Sequence, residues 1–316
     1  MPATWPSPWR TEVEALRRRV SPKLAFGILV GLLLVALILA ASFVARRDSE
    51  DVGTASEAPG VEHVHGLGVD PSDGTLFAAT HFGLFRIPDE GKATRIADRY
   101  QDTMGFTVVG DAHFLGSGHP DMRDAALRKP GRPPLLGLIE SKDAGETWKP
   151  VSLLGEADFH GLVAAHHRVY GFDSTNSRFM VSNDKTTWET RSTLSIASFA
   201  VDPADGERIV ATTGEGLLES TDGGRTWKPI AGPQLDMLSW DERSGLWGAD
   251  RNGVVHRHPT NDESWMRASA LPGAPEALLA QDDALYAAAS GPDGVTGIYR
   301  SGDGGSWKLL YRDAGA

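Results

Sequence analysis

Short runs in which apolar and polar residues alternate fill the chain from residue 61 to residue 311. Alternation with a period of two is typical of β-strands that have one buried face. Six runs begin successive units, and each is followed by a second alternating run such as TLFAAT, RVYGFD or ALYAAA. The pattern predicts six β-rich repeats of about 42 residues. Their first strands are HVHGLGVD (63–70), DTMGFTVV (102–109), DFHGLVAA (158–165), SIASFAVD (195–202), LDMLSWDE (235–242) and PEALLAQD (275–282).

Tryptophans recur through these repeats at nearly constant intervals of 40, 39, 38 and 42 residues. A period near 40 with four short strands per unit is the sequence signature of a β-propeller. We therefore predict an all-β fold, a six-bladed propeller over residues 61–316 in which each blade is a four-stranded sheet. The recurring residues are Trp148, Trp188, Trp227, Trp265 and Trp307.

A turn motif leads into each of these tryptophans. Segments 141–148 (SKDAGETW) and 220–227 (STDGGRTW) match Ser-x-Asp-x-Gly-x-Thr-Trp completely. In such a turn the Ser and Asp side chains hydrogen-bond the local backbone, and Gly adopts a positive φ. We expect the tryptophan to leave the turn and pack between neighbouring sheets. Shorter copies of the motif occupy 182–188, 260–265 and 301–307.

The N-terminal region differs from the repeats. Residues 24–45 are uncharged, and as a helix they would be about 33 Å long, enough to cross a hydrocarbon core of about 30 Å. The basic segment before this run places the N-terminus inside the cell. A cleaved signal peptide is the alternative, although the run is long for one. We predict a cytoplasmic tail (1–23), a transmembrane signal-anchor helix (24–45), a flexible linker (46–60) and an extracytoplasmic propeller (61–316).

Charge and cysteine content exclude some functions. The whole chain has 31 Lys and Arg against 42 Asp and Glu, and residues 1–47 hold 7 and 2 of these. Residues 48–316 therefore carry 24 basic and 40 acidic residues, a net charge of −16. Such an acidic domain is not expected to bind nucleic acid. The chain has no cysteine, which rules out disulfides and thiolate metal ligands.

The turn motifs resemble those of the Asp-box (BNR repeat) propellers, which include sialidases, sortilin-type receptors and photosystem II assembly-factor-like proteins. The segments HVHGLGVD, HFGL, TMGF, SGHP and DFHGL are similar to a bacterial membrane-anchored group labelled as sialidase-like glycosyl hydrolases. This resemblance covers residues 61–311 and implies a propeller with a sialidase-like hydrolase activity. In these families the Asp-boxes are structural, so the tryptophans are not expected to bind sugar.

Five of the ten histidines are predicted to lie on one face of the propeller. The first strand of each blade lines the central channel, and its starting end shares a face with the loop between the second and third strands. A lone histidine is most often structural, whereas five on one face indicate a site. The residues are His63 and His65 at the start of the first blade, His81 and His119 in second-to-third loops, and His160 at the start of the third blade.

Superposing the six first strands predicts a ring of side chains around the channel. Imidazole with a thioether suits copper, whereas imidazole with a carboxylate suits zinc or another divalent ion. A polar, water-filled channel mouth is the alternative. The ring consists of His65, Met104, His160, Ala197, Asp236 and Glu276. We predict as metal ligands His63, His65, His81, His119, His160, Met104 and Glu276.

The candidate residues are compatible with two classes of function, a glycosidase and a binding or assembly module. A sialidase requires three arginines for the substrate carboxylate and a Tyr–Glu pair, but no tyrosine occupies a first-strand position. Another glycosidase could use Asp236 and Glu276 as its two carboxylates. The histidines and Met104 instead favour a membrane-anchored binding or assembly module with a metal, protein or glycan partner. The long loop 119–134 in the second blade lies over the same face and is a candidate partner-binding element.

Overall fold

The protein is described over residues 60–259 and 264–312 in a computed structural model. Within these residues the chain forms six sheets, each of four consecutive antiparallel strands. The first sheet contains β1 (Val64–Val69), β2 (Leu76–Thr80), β3 (Gly83–Ile87) and β4 (Thr94–Arg95). The second contains β5 (Asp102–Gly110), β6 (His113–His119), β7 (Leu138–Ser141) and β8 (Lys149–Ser152), with a short 3-10 helix (Ala125–Leu127) between β6 and β7. The third contains β9 (Phe159–Ala165), β10 (Arg168–Asp173), β11 (Arg178–Ser182) and β12 (Glu189–Thr193).

The remaining three sheets repeat the same order of strands. The fourth contains β13 (Ser198–Val201), β14 (Ile209–Thr213), β15 (Gly216–Ser220) and β16 (Lys228–Ile230). The fifth contains β17 (Met237–Asp241), β18 (Gly245–Ala249), β19 (Val254–His258) and β20 (Met266–Ala270). The sixth contains β21 (Ala274–Gln281), β22 (Ala284–Ser290), β23 (Thr296–Ser301) and β24 (Lys308–Arg312).

The first strands of the six sheets form a closed ring. Each packs against the first strand of the next sheet, and β21 of the sixth sheet packs against β1 of the first. The predicted six-bladed β-propeller with four-stranded blades is therefore confirmed. The seam between the sixth and first sheets is joined by side chains rather than by a shared strand. Val61, Val64 and Leu67 pack there against Ala277 and other apolar residues of the sixth sheet.

The apolar core is divided into layers between neighbouring sheets. Each of the five repeated tryptophans packs into one such layer, with Trp148 buried and the others half-buried. In three layers the indole N–H donates to a serine on the fourth strand of the preceding sheet. These bonds are Trp188 to Ser152 at 2.9 Å, Trp227 to Ser192 at 3.0 Å and Trp307 to Ser269 at 3.0 Å. The predicted position of the tryptophans between sheets is confirmed.

The two complete turn motifs have the hydrogen bonds expected from their residues. Ser220 Oγ accepts the backbone N–H of Gly224 at 2.8 Å, and Asp222 Oδ1 accepts that of Thr226 at 2.8 Å. Gly224 has φ +91°, and a Cβ there would lie 2.3 Å from a ring carbon of Phe179 in the preceding sheet. Glycine is therefore required both by the backbone conformation and by the contact between sheets.

These turns lie on the face opposite the starting ends of the first strands. Ala144, in the turn between β7 and β8, donates its backbone N–H to the carbonyl of Ala112 in the turn between β5 and β6, at 2.9 Å. Gly223 makes the equivalent bond to Glu207 in the fourth sheet at 2.8 Å. The other face therefore carries the starts of the first strands and the β2–β3-type loops, as predicted.

The predicted cytoplasmic tail (1–23), transmembrane helix (24–45) and linker (46–60, apart from its last residue) lie outside the described residues. Within residues 60–259 and 264–312, no helix is long and apolar enough to span a membrane.

Candidate functional site

Polar side chains gather at one mouth of the central channel, on the face where the first strands begin. We call this surface the histidine face and define it by the five predicted histidines together with two aspartates. His65 lies on β1 and His160 on β9, while His81 lies in the β2–β3 turn. The complete set is His63, His65, His81, Asp102, His119, Asp158 and His160.

Three of these residues bring their ligand atoms to one point. His81 Nδ1 lies 2.7 Å from Asp102 Oδ1 and 3.2 Å from His65 Nε2, and His65 Nε2 lies 3.6 Å from Asp102 Oδ1. Among the described residues, this is the one group of three or more His, Asp or Glu with all ligand atoms within 4.8 Å of one another. Atoms bound to one metal ion at about 2.0–2.2 Å are separated by similar distances. We call His65, His81 and Asp102 the first cluster.

The protonation state of His65 suits ligation. Burial, reinforced by the nearby His81, lowers the pKa of the His65 imidazole to about 4, and Asp102 opposes this only in part. Neutral imidazole is the form that binds a metal, so His65 presents a lone pair at neutral pH without first losing a proton. The side chains of His81 and Asp102 are 39% and 24% exposed. The first cluster is therefore open to solvent on one side.

A chain of polar contacts continues from the first cluster across the mouth. Asp102 Oδ2 lies 3.1 Å from His119 Nδ1, and His119 Nε2 lies 3.6 Å from Asp158 Oδ2. His160 Nε2 is 2.9 Å from the same oxygen of Asp158. Asp102 therefore contacts three histidines and Asp158 contacts two, and His119 lies between the two aspartates.

Asp158 is the most buried member of the face, with a side chain only 6% exposed. Burial raises the pKa of its carboxyl, but the hydrogen bond and charge of His160 and the charge of His119 outweigh burial and leave that pKa below its usual value. Its Oδ1 is buried and has no hydrogen-bond partner among the described residues. An unpaired buried carboxylate oxygen is costly, since it has lost its water without replacement.

Asp102 and Asp158 were missed by the reasoning from sequence, although a signal was present. Alternate residues of a strand point to the same side. In the superposed first strands, the position two residues before His65, Met104 and His160 holds His63, Asp102 and Asp158. Following this second position, as well as the ring of His65, would have identified both carboxylates.

The predicted ring around the channel is present except at one blade. A cavity of about 400 Å³ follows the channel, and its lining includes His65, Met104, His160, Ala197, Met237 and Glu276. The fifth blade therefore contributes Met237, and the prediction of Asp236 was wrong by one residue. Leu235 and Leu238 pack between the fourth and fifth sheets, and this packing fixes the register. Asp236 instead pairs with Arg251, with Oδ1 and Nη2 3.6 Å apart.

Glu276 lines the channel but does not join the histidines. Its Oε2 accepts the backbone N–H of Val64 at 2.9 Å, and its Oε1 accepts the hydroxyls of Ser290 at 2.7 Å and Thr296 at 3.0 Å. These bonds occupy both oxygens at the seam between the sixth and first sheets. Glu276 and Asp236 therefore each bond other residues, and they do not form the facing pair of carboxylates that a glycosidase would need.

Two other predicted ligands lie beside the first cluster. The His63 ring meets the edge of the His81 ring, with centroids 5.2 Å apart. His63 is exposed and has φ +48°, which turns the chain just before β1. Met104 lines the channel between His65 and His160 along the ring. Neither residue belongs to the tightly gathered group of ligand atoms.

The long loop of the second blade, residues 120–137, is packed onto the layer between the first and second sheets. Leu127 and Leu136 are fully buried. Arg99 Nη1 contacts Asp124 Oδ2 at 2.7 Å, which ties the loop to the connection between the first and second sheets. The loop, which begins directly after His119, is therefore held to the propeller by apolar packing and by an ion pair.

Comparison with known proteins supports the fold. No protein-family description and no curated protein matches this chain by sequence. A GH74 enzyme from Niastella koreensis has a similar structure, with a TM-score of 0.56 and 15% identity over 79% of this chain and 45% of its own length. A chain of a nidogen/laminin complex is also similar, with a TM-score of 0.57 and 14% identity over 75% of this chain and 92% of its own.

The chain shares the β-propeller architecture of these two structures. At such low identity they show a β-propeller fold and nothing about activity. The chain covers less than half the length of the GH74 enzyme. One similar structure is an enzyme and the other is a chain of a nidogen/laminin complex, so the shared fold does not indicate a role.

Proposed function

We propose that this propeller is a membrane-anchored, extracytoplasmic binding module that holds a transition-metal ion at the first cluster. The observation that carries the proposal is the convergence of His65, His81 and Asp102, whose ligand atoms lie 2.7–3.6 Å apart. These side chains come from β1, the β2–β3 turn and the start of β5, so two rigid sheets fix their positions. Such a scaffold holds ligands in place before the ion arrives.

The ligand set suits a divalent ion such as zinc or copper. Two imidazoles and one carboxylate are typical ligands of zinc, and imidazole also binds copper strongly. Asp102 accepts a contact from His119 through its other oxygen, which orients the carboxylate from outside the cluster. Three protein ligands leave at least one coordination position for another group. On this open face, that group is an oxygen or nitrogen of a protein or glycan partner.

The predicted anchor and the resemblance to Asp-box propellers support an extracytoplasmic role. An apolar helix at 24–45 would hold the propeller at the membrane surface. The chain has no cysteine, so its fold does not depend on disulfide formation outside the cytoplasm. The complete turn motifs and their hydrogen bonds are consistent with the Asp-box group. That group includes receptors and assembly factors as well as enzymes.

A glycoside hydrolase is the second candidate, and one observation favours it. Asp102 and Asp158 lie on either side of His119 at an open channel mouth. Hydrolysis of a glycosidic bond requires two carboxylates that flank the bond, and in this pair Asp102 is the more exposed member while Asp158 is mostly buried. This pair is better placed than Asp236 and Glu276, whose carboxylates are engaged elsewhere. Loss of glycosidase activity on sialosides or other glycans in an Asp158→Asn variant would favour this candidate.

Metal analysis of the full chain tests the proposed binding function. The protein is purified in detergent, stripped with a chelator, incubated with Zn²⁺ or Cu²⁺ and freed of excess ion before mass-spectrometric analysis. We expect bound metal at neutral pH, and a His65→Ala, His81→Ala double variant should lose the ion of the first cluster. His167→Asn is the matched control, because it removes an exposed imidazole from a positive-φ turn on the opposite face. A wild-type protein that retains no metal would refute the proposal.

A further inference from the structure

We infer that the histidine face holds a second metal ion, bound by His119, Asp158 and His160 next to the first cluster. The inference extends the proposed metal-binding function and rests on it. The second set of ligands comes from the end of β6, the residue before β9 and β9 itself. It therefore spans the second and third sheets, whereas the first cluster spans the first and second.

Two imidazole nitrogens approach one oxygen of the second set. Asp158 Oδ2 lies 2.9 Å from His160 Nε2 and 3.6 Å from His119 Nε2. The three ligand atoms are less tightly gathered than those of the first cluster, so the ion would draw the two exposed imidazoles together. Their side chains are 41% and 37% exposed, so an ion in solution can reach both rings.

The buried carboxylate of Asp158 points independently to a cation. Its Oδ2 is contacted by the two histidines and, at 3.3 Å, by the hydroxyl of Ser174. Within residues 60–259 and 264–312, its Oδ1 is buried and has no hydrogen-bond partner. A purely structural pairing with His160 accounts for Oδ2 and leaves Oδ1 unsatisfied. A cation held by both oxygens satisfies the whole group, and this is the way carboxylates commonly bind metals.

His119 connects the two ions. When its Nε2 binds the second ion, its Nδ1–H donates to Asp102 Oδ2 across the present 3.1 Å contact. The other oxygen of Asp102 belongs to the first cluster. This is the carboxylate–histidine–metal arrangement that fixes the ring and increases its basicity. Asp102 is therefore a ligand of the first ion and a positioning residue for the second.

These roles predict a different effect for each substitution. His81→Ala should remove only the first ion, and His160→Ala only the second. Asp102→Asn keeps the size of the side chain but removes its charge, so it should weaken both ions. His167→Asn should change neither. If Asp158 and His160 only stabilise the start of β9, His160→Ala lowers the unfolding temperature and leaves the number of bound ions unchanged.

Counting Zn²⁺ ions on the full chain in detergent tests the inference. We expect two ions for the wild type and for His167→Asn, one each for His81→Ala and His160→Ala, and none for a variant that combines His81→Ala with His160→Ala. Circular dichroism checks that each variant is folded, and His119→Gln replaces His160→Ala if the latter does not fold.

Each other result has a distinct meaning. A wild type with one ion, retained in His160→Ala, would overturn the second site and leave the proposed function intact. A wild type with none would overturn both proposals. One ion that is lost in both single variants would indicate a single shared site, which also overturns the inference.

Discussion

The indole N–H of Trp227 donates a hydrogen bond to Ser192 Oγ at 3.0 Å, across the boundary between the third and fourth sheets. The same ring meets Phe179 edge-on, with centroids 5.4 Å apart. One residue of the turn motif therefore contributes both apolar contact and a polar bond to the adjoining blade. Equivalent bonds at Trp188 and Trp307 make this a repeated device of the propeller.

Replacing Trp227 separates these two contributions. Trp227→Ala should lower the free energy of unfolding by about 3–5 kcal/mol, because a large side chain is lost from a packed layer. Trp227→Phe keeps most of the volume and loses the bond to Ser192, so it should cost about 1 kcal/mol. Urea unfolding followed by circular dichroism measures both. Equal losses in the two variants would show that the hydrogen bond, and not packing, dominates.

Substitution at Gly224 tests the close approach of turn and sheet. Gly224→Ala would place a Cβ 2.3 Å from Phe179 at a φ of +91°, so we expect a loss of at least about 2 kcal/mol. Gly214→Ala is the matched control, because no atom lies within 4 Å of its added Cβ. The control should change stability by less than about 0.5 kcal/mol. Two equally stable variants would contradict the packing described for this turn.

Glu276 should be a structural residue rather than a metal ligand. Glu276→Gln replaces one accepting oxygen with an NH2 group, so the side chain can no longer accept both from Val64 and from Ser290 and Thr296. We expect a loss of about 2 kcal/mol in stability and no change in the number of bound metal ions. Glu242→Ala, on an exposed turn, is the control. Loss of metal from the Glu276 variant would instead support the prediction made from sequence.

The contact between Glu140 and Lys185 should make stability depend on pH. Burial raises the pKa of the Glu140 carboxyl, but hydrogen bonds from Lys185 at 2.6 Å and His113 at 2.8 Å outweigh burial and lower that pKa to about 2. Because the folded pKa lies below the unfolded value of 4.5, this stability is complete above pH 4.5 and is lost as pH falls towards 2.

Unfolding curves at several pH values test this contribution. Glu140→Gln should lose about 3 kcal/mol relative to wild type near pH 6, and the difference should shrink steadily below pH 4.5. Glu146→Gln serves as the control, since its side chain is exposed. A difference between Glu140→Gln and wild type that stays constant from pH 6 to pH 3 would exclude the ionised carboxylate as its source.

The fold could be predicted because its signals are local and repeated. The spacing from Trp148 to Trp307 gave the length of one repeat, and period-two alternation located the six first strands. The fifth blade shows the limit of this approach. Asp236 and Met237 are adjacent, and apolar residues on both sides allow either register. Only the packing of Leu235 and Leu238 against the fourth sheet decides between them.

The sequence predicted which histidines lie on the histidine face, but not which of their atoms are in contact. Topology alone brings the five histidines to one end of the channel. Which atoms meet depends on the offset between neighbouring first strands and on side-chain rotamers, and neither follows from the pattern of one strand. This is why Glu276 was placed with the histidines, whereas it bonds Val64 at the seam. It is also why Asp102 and Asp158 went unnoticed.

The seam between the sixth and first sheets has a consequence for how the chain folds. Each sheet is built from consecutive strands, so its hairpins close over short distances along the chain. The bond between Val64 and Glu276 joins residues 212 positions apart. Closing so long a loop carries an entropy cost that is recovered only once both sheets are formed. We therefore expect the six blades to form first from local contacts, and closure of the ring between the sixth and first sheets to be the late, slow step of folding.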